Sequence, residues 1–240
     1  MAKKTGLGNQ LYVAGYDLSG DISNFEISSP RNVVDVTSIN KSANERLLTT
    51  ADGAITFNTF FNDAALAEHV ALKAVPSTDR VTTFLMGSTA NDPACGLVAK
   101  QLNYDMTRTA DGGLNFSIDL QSQGYPVEWG TSLVAGKVTH SSATNVASLD
   151  QSSSSSSGSQ AYLQAFSISS GDAVIKVQHS SDNSSWADLI TFTTVSALTS
   201  ERGTSTGTVN RYVRAQSSGT FSNVVFSLIF RRGESTDIIL

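Results

Sequence analysis

Between Leu102 and Gln121 the chain leaves itself little choice of structure. Leu102, Tyr104 and Met106 alternate with Asn103, Asp105 and Thr107. After Asp111-Gly112-Gly113, Leu114, Phe116, Ile118 and Leu120 alternate with Asn115, Ser117, Asp119 and Gln121. Successive side chains of a strand point to opposite faces, so two such runs around a glycine turn read as a hairpin with one apolar and one polar face. The apolar face has to be covered and the polar face left in water. The polar set includes Asp105 and Asp119, while Arg108 lies near the turn on the other set.

A second alternating pattern lies earlier. Val33, Val34 and Val36 begin it; Ile55, Phe57, Thr59 and Phe61 alternate with Ala54, Thr56, Asn58 and Phe60 at its end. Between them runs a charged arm, Thr37 to Asp52, carrying Lys41, Glu45, Arg46 and Asp52 with Leu47 and Leu48 among them. A connection of this length in a compact domain is uncommon unless it is functional or disordered. Two leucines among charges suit docking better than free solution.

Around these stretches the signals are again mostly β. Leu11–Ile27, Val81–Met86 and Gly96–Gln101 read as short strands, and Tyr125-Pro126 and Trp129-Gly130 close the region. The exception is 62–75, alanine-rich, with Leu66, Val70 and Ala74 at helical spacing and Pro76 behind it. It reads as one helix with Asn62 as N-cap, packed on one face of the sheet. The expected fold class is therefore mainly β: an N-terminal β-sandwich or barrel with one α-helix over about 62–75, and a C-terminal β-sandwich. The N-terminal domain is set at 1–135, with the arm at 37–52.

Composition shifts over 136–159, which contains six consecutive serines, Ser152–Ser157. So polar a tract cannot bury enough apolar surface to offset its ordering entropy, and it reads as a flexible linker. Residues 160–240 then form the second β domain, with strands expected at Ala161–Ile168, Ala173–His179, Leu189–Thr193, Val209–Gln216 and Phe221–Phe230.

Net charge is −5 and lies entirely in the first part: residues 1–130 hold nine Lys and Arg against fourteen Asp and Glu, whereas 131–240 hold seven of each. An acidic domain of this kind does not bind duplex DNA by neutralising phosphates. The single cysteine, Cys95, excludes an internal disulfide, fits synthesis in a reducing cytoplasm, and reads as a small buried hydrophobe. His69, His140 and His179 lie far apart without ligand-spaced neighbours, so neither a metal nor a cofactor is expected. No P-loop or complete dinucleotide fingerprint is present, and no nucleophile elbow is expected. Asp105 and Asp119 could serve a hydrolase only as a carboxylate pair in a cleft. The chain is expected not to be an enzyme.

The order strand, charged arm, Asp52-Gly53 turn, strand and short helix resembles the major tail tube protein of long-tailed, non-contractile bacteriophages, over roughly the first 130 residues. The phrases VQHSSDNSSWADL and NRYVRAQSSGTFSNVVFSLIF resemble a galactose-binding-like, discoidin-type sandwich. The first resemblance implies a structural virion subunit, made in the host cytoplasm, that forms stacked hexameric rings around a DNA-conducting lumen. Lys41, Glu45, Arg46, Leu47, Leu48 and Asp52 would then contact a neighbouring subunit, helped by the N-terminal Met1–Asn9. Asp105, Asn115, Ser117, Asp119 and Gln121 would face the lumen and repel DNA in transit. Partners would be further copies and other tail proteins: tape measure, tail terminator and tail tip. The second resemblance implies an outer domain with a glycan site at Trp186, Arg211, Tyr212 and Arg214 for host-surface glycans. The alternative is a glycan-binding adhesion or decoration protein of the virion.

Overall fold

A computed structural model describes residues 5–234, so the first four residues of the expected Met1–Asn9 contact lie outside the described residues. Over the described residues the architecture is mainly β, a large curled sheet with a single short helix and a separate two-stranded ribbon. In chain order the first half comprises β1 (Gln10–Val13), β2 (Tyr16–Asp17), β3 (Ile22–Ser28), β4 (Arg31–Asp35), β5 (Arg46–Ala51), β6 (Ala54–Phe60), α1 (Glu68–Leu72), β7 (Arg80–Leu85), β8 (Pro93–Gln101), β9 (Asp105–Arg108), β10 (Leu114–Ser122) and β11 (Glu128–Ser132). The second half comprises β12 (Val138–His140), β13 (Thr144–Asn145), β14 (Leu149–Asp150), β15 (Ser159–Ser180), β16 (Ala187–Thr191), β17 (Thr199–Ser205) and β18 (Tyr212–Arg232).

The alternating segments pair as their periodicity requires. β10 lies between β6 and β9, and β3 flanks β6, all antiparallel. The sheet curls so that Ile55, Phe57, Phe116, Ile118 and Leu120 meet Leu11, Val13, Phe84, Leu97 and Ala99 across one core. Cys95 is buried in that core, and burial pushes its thiol up to about 12.

Several expectations need correcting. The helix spans Glu68–Leu72, not 62–75. Leu66 adopts a left-handed backbone (φ 67°) and Val75 another (φ 40°), and neither conformation can continue a right-handed helix. Asn62 is not its N-cap: its Oδ1 accepts the Ala64 N–H at 3.1 Å in a local turn, while Ala67 holds the cap position without a side-chain bond. The Glu68 N–H is satisfied instead by Asp21 Oδ2 at 3.2 Å.

The serine-rich 136–159 segment is not a free linker. β12, β13 and β14 pair in turn with β18, and Ser155 exchanges two 2.9 Å backbone hydrogen bonds with Val209. A long strand has a row of backbone groups to satisfy, and serines supply those partners without needing apolar side chains. Thus the segment forms an edge of the second half.

In that half the expected strands merge. Ala161–Ile168 and Ala173–His179 belong to one strand, β15; most of Val209–Gln216 and all of Phe221–Phe230 belong to β18. β15 and β18 form one ribbon whose two ends share a core of Leu163, Ile175, Val177, Val213, Phe226 and Leu228, so the ribbon is doubled back on itself. Gly171 and Gly219 have positive φ, and a Cβ at either would lie 2.2–2.4 Å from a backbone oxygen. β17, polar throughout as Thr-Ser-Glu-Arg-Gly-Thr-Ser, carries no apolar alternation to announce it.

A third core joins the halves: Tyr12, Val81, Leu85, Ala94 and Val98 pack against Tyr162 and Ile229. Beside it Arg202 makes two 2.8 Å bonds to Glu128, Tyr162 donates to the same carboxylate, and the guanidinium lies 3.7 Å from the Tyr125 ring centroid. Gly96 is required beneath Tyr162, since a Cβ there would lie 2.4 Å from its ring.

Candidate assembly surfaces

The four strands β3, β6, β10 and β9 present one largely polar face, on which Phe60, opposite Asn115, is the exposed apolar residue. Register places Asp105 opposite Ser117, Ser117 opposite Asn58 and Asn58 opposite Asn24; Asp119 is opposite Thr56, and Thr56 opposite Glu26. The five residues expected to share a polar surface, Asp105, Asn115, Ser117, Asp119 and Gln121, all lie on this face. Asn24 and Glu26 were missed, and Asn103, although in the polar alternation, was given no role. Asn103 precedes its strand and acts through hydrogen bonds: its amide donates to Asp105 and to Asp119, each at 2.9 Å. Asn24 and Glu26 sit in a segment whose strand pairing the sequence left open. Lys100, opposite Gln121 at the rim, is already engaged by Asp79 at 2.7 Å.

The arm is an outward extension of the β3–β6 hairpin. Ser28 pairs with Ala54, Asp52 N–H donates to Pro30 O at 2.9 Å, and β4 and β5 continue to the pair Asp35 and Arg46. From Ser29 to Val36 this adds roughly 24 Å along the strand direction. Asp52 anchors its base: the carboxylate accepts from Ser122 Oγ (2.6 Å), the Gly53 N–H (2.7 Å) and Gln121 (2.8 Å), and those bonds, that from Ser122 foremost, lower its pKa. Lys41 and Glu45 form a 2.9 Å pair at the tip. Leu48 is opposite Val33 and Leu47 opposite Val34, so the ribbon is apolar on both faces, and all four side chains are about half exposed. An isolated two-stranded ribbon is marginal in water, and this one has no second layer over either face among the described residues.

The proposed glycan residues separate into two pairs. Arg214 lies 4.1 Å from the Trp186 ring centroid and donates to Gln178 Oε1 at 2.9 and 2.8 Å. Arg211 forks onto Asp150 at 2.7 and 2.6 Å, which holds that carboxyl down to about 2, and sits 5.0 Å from the Tyr212 ring centroid. Each aromatic ring thus already carries a guanidinium.

Gly203-Thr204-Ser205-Thr206-Gly207 spells a G-x-S-x-G pattern, contrary to the expectation that none exists. Ser205 ends β17 and bonds Ser159 Oγ at 2.7 Å within a strand pair, not the strand–turn–helix of a nucleophile elbow. Among the described residues no group of three or more His, Cys, Asp or Glu is placed to hold a metal. His69 contacts Tyr104 Oη (2.9 Å), His140 contacts Ser217 Oγ (2.7 Å), and His179 accepts the Asn210 N–H (3.1 Å).

No protein-family model matches the chain, and no curated protein matches it. Among solved structures, a chain of the virion of a native gene transfer agent particle is similar over 53% of this chain and 98% of its own, at 13% identity and a TM-score of 0.44. A chain of the tail of an empty gene transfer agent particle, with C6 symmetry, covers 52% and 97% at 17% identity and TM-score 0.40. The SPP1 Dit protein, described as a hub adsorption apparatus of phages infecting Gram-positive bacteria, covers 93% and 99% at 9% identity and TM-score 0.33. At these values the likeness by itself assigns no function.

Proposed function

We propose that this chain is a structural subunit of a phage tail, built to form rings that stack into a tube around a polar lumen. The carrying observation is the four-stranded unit β3–β6–β10–β9. It has a polar face, an apolar face turned to the core, and two edges without strand partners among the described residues. Joining the β9 edge of one copy to the β3 edge of the next removes both edges and leaves the polar faces lining a channel. Carboxylates at Glu26, Asp105 and Asp119 then repel DNA phosphates within about 10 Å at 0.1 M salt, so DNA passes without adhering.

Two further features support the reading. The arm leaves the sheet along the strand direction, suited to reaching an adjacent ring, and its two apolar faces need a cover that a second copy would supply. The second half packs against β1, β7 and β8, across the first core from the polar face, which puts it on the outside of such a tube. The role is structural, with no catalysis, and the partners are further copies, other tail proteins and DNA in transit.

The test is sedimentation of the purified protein beside a variant lacking residues 38–43 of the arm tip. The proposal expects large assemblies from the intact chain and no more than single rings from the variant. Equal stacking by both would remove the arm's role.

A further inference from the structure

We infer that the edge contact between copies has one particular register, in which Asp105 of β9 faces Ser28 of β3, Met106 faces Ile27, Thr107 faces Glu26 and Arg108 faces Phe25 of the adjoining copy. This rests on the ring reading above and names its interface residue by residue.

Direction comes first. β9, β10, β6 and β3 alternate in direction along the unit. Four is even, so a ring that repeats the unit brings β9 of one copy antiparallel to β3 of the next. The faces come second. On β9, Asp105 and Thr107 share the polar face while Met106, opposite buried Phe116, is on the apolar one. On β3, Asn24, Glu26 and Ser28 are polar-face residues, whereas Phe25 and Ile27 oppose buried Phe57 and Ile55. A slip by one residue would put Met106 on the lumen side, so only shifts by two are allowed.

Three same-face registers remain. Facing Asp105 with Asn24 runs β9 into the bulge between Ile22 and Asn24 and leaves Ile27 uncovered. Facing Asp105 with Glu26 sets two carboxylates directly opposite, which is destabilising. Facing Asp105 with Ser28 avoids both. It also lays the guanidinium of Arg108 beside the ring of Phe25 and covers exposed Met106 with Ile27, extending the apolar face across the joint.

Paired cysteines test this with every charge left in place. Within one copy Met106 lines up with Ile22, so Ile27 lies three strand spacings, roughly 14 Å, across the sheet and about four residues, roughly 13 Å, along it, beyond disulfide reach, and any bond is between copies. Buried Cys95 stays as it is. Under mild oxidation of assembled protein, M106C/I27C should give a ladder of covalent oligomers on a denaturing gel, and M106C/F25C, shifted by two residues, should give none. A ladder from M106C/F25C, or none from either pair while electron microscopy shows intact rings, overturns the register and leaves the ring standing. Failure of the unmodified chain to form rings overturns the reading beneath it.

Discussion

Asn103 holds Asp119 at two points: its amide donates to the carboxylate at 2.9 Å, and its side-chain carbonyl accepts the Asp119 backbone N–H at 2.7 Å. The same amide donates to Asp105, so one neutral side chain holds two carboxylates on the polar face in fixed positions. N103A leaves these groups short of partners and is expected to destabilise the subunit by about 1–3 kcal/mol. Urea denaturation measures it; an unchanged midpoint would mean that water substitutes fully for the amide.

Glu68 lies buried at the start of α1, where the hydroxyls of Tyr104 and Thr59 approach its carboxylate without offsetting the cost of burying its charge. Burial raises its pKa. A group whose folded pKa is raised contributes stability that is complete below its unfolded value and is lost as pH rises through the folded value. E68Q removes that dependence, so it should be more stable than the unmodified chain near pH 8, with the advantage shrinking toward pH 4. Thermal melts across that range check it; an E68Q deficit at pH 8 would contradict it.

The Arg202–Glu128 pair is buried at the junction of the halves, with both side chains less than a tenth exposed. Removing one partner of such a pair strands the other charge, so R202A should cost about 3–5 kcal/mol. R202M/E128Q, which removes both charges, should recover part of that loss. A double variant no better than R202A would show that packing of the guanidinium on Tyr125 matters more than charge.

A chain cut after Ser155 loses Tyr162 and Ile229 and uncovers Tyr12, Val81, Leu85, Ala94 and Val98. It is expected to aggregate. A soluble, cooperatively unfolding 1–155 fragment would show that the third core is dispensable.

On the proposed lumen, D119K should still permit ring formation, since Asp119 lies neither in a core nor on the β9–β3 joint, but should slow DNA passage. Genome-ejection kinetics of particles carrying the variant read this out, and unchanged kinetics would argue against a lumen position.

What could be read from the sequence was what repeats every two residues. The alternation of 102–121 placed Asp105, Asn115, Ser117, Asp119 and Gln121 on one face because side-chain direction in a strand is set locally. The helix was overextended because spacing at Leu66, Val70 and Ala74 is blind to the left-handed backbone at Leu66. The serine tract was misread for a related reason: side-chain composition says nothing of the backbone groups that β18 offers to it. The role of Asn103, the Glu128–Arg202–Tyr162 group and the third core depend on contacts between distant segments, and no local pattern announces them.

Copies of this chain are proposed to close into rings and stack. Negative-stain electron microscopy of the purified protein, concentrated at neutral pH, tests this most directly. Hollow rings or tubes with the second half projecting outward are expected. A field of compact single subunits at every concentration, also when tail-tip proteins are added as initiators, would contradict the proposal.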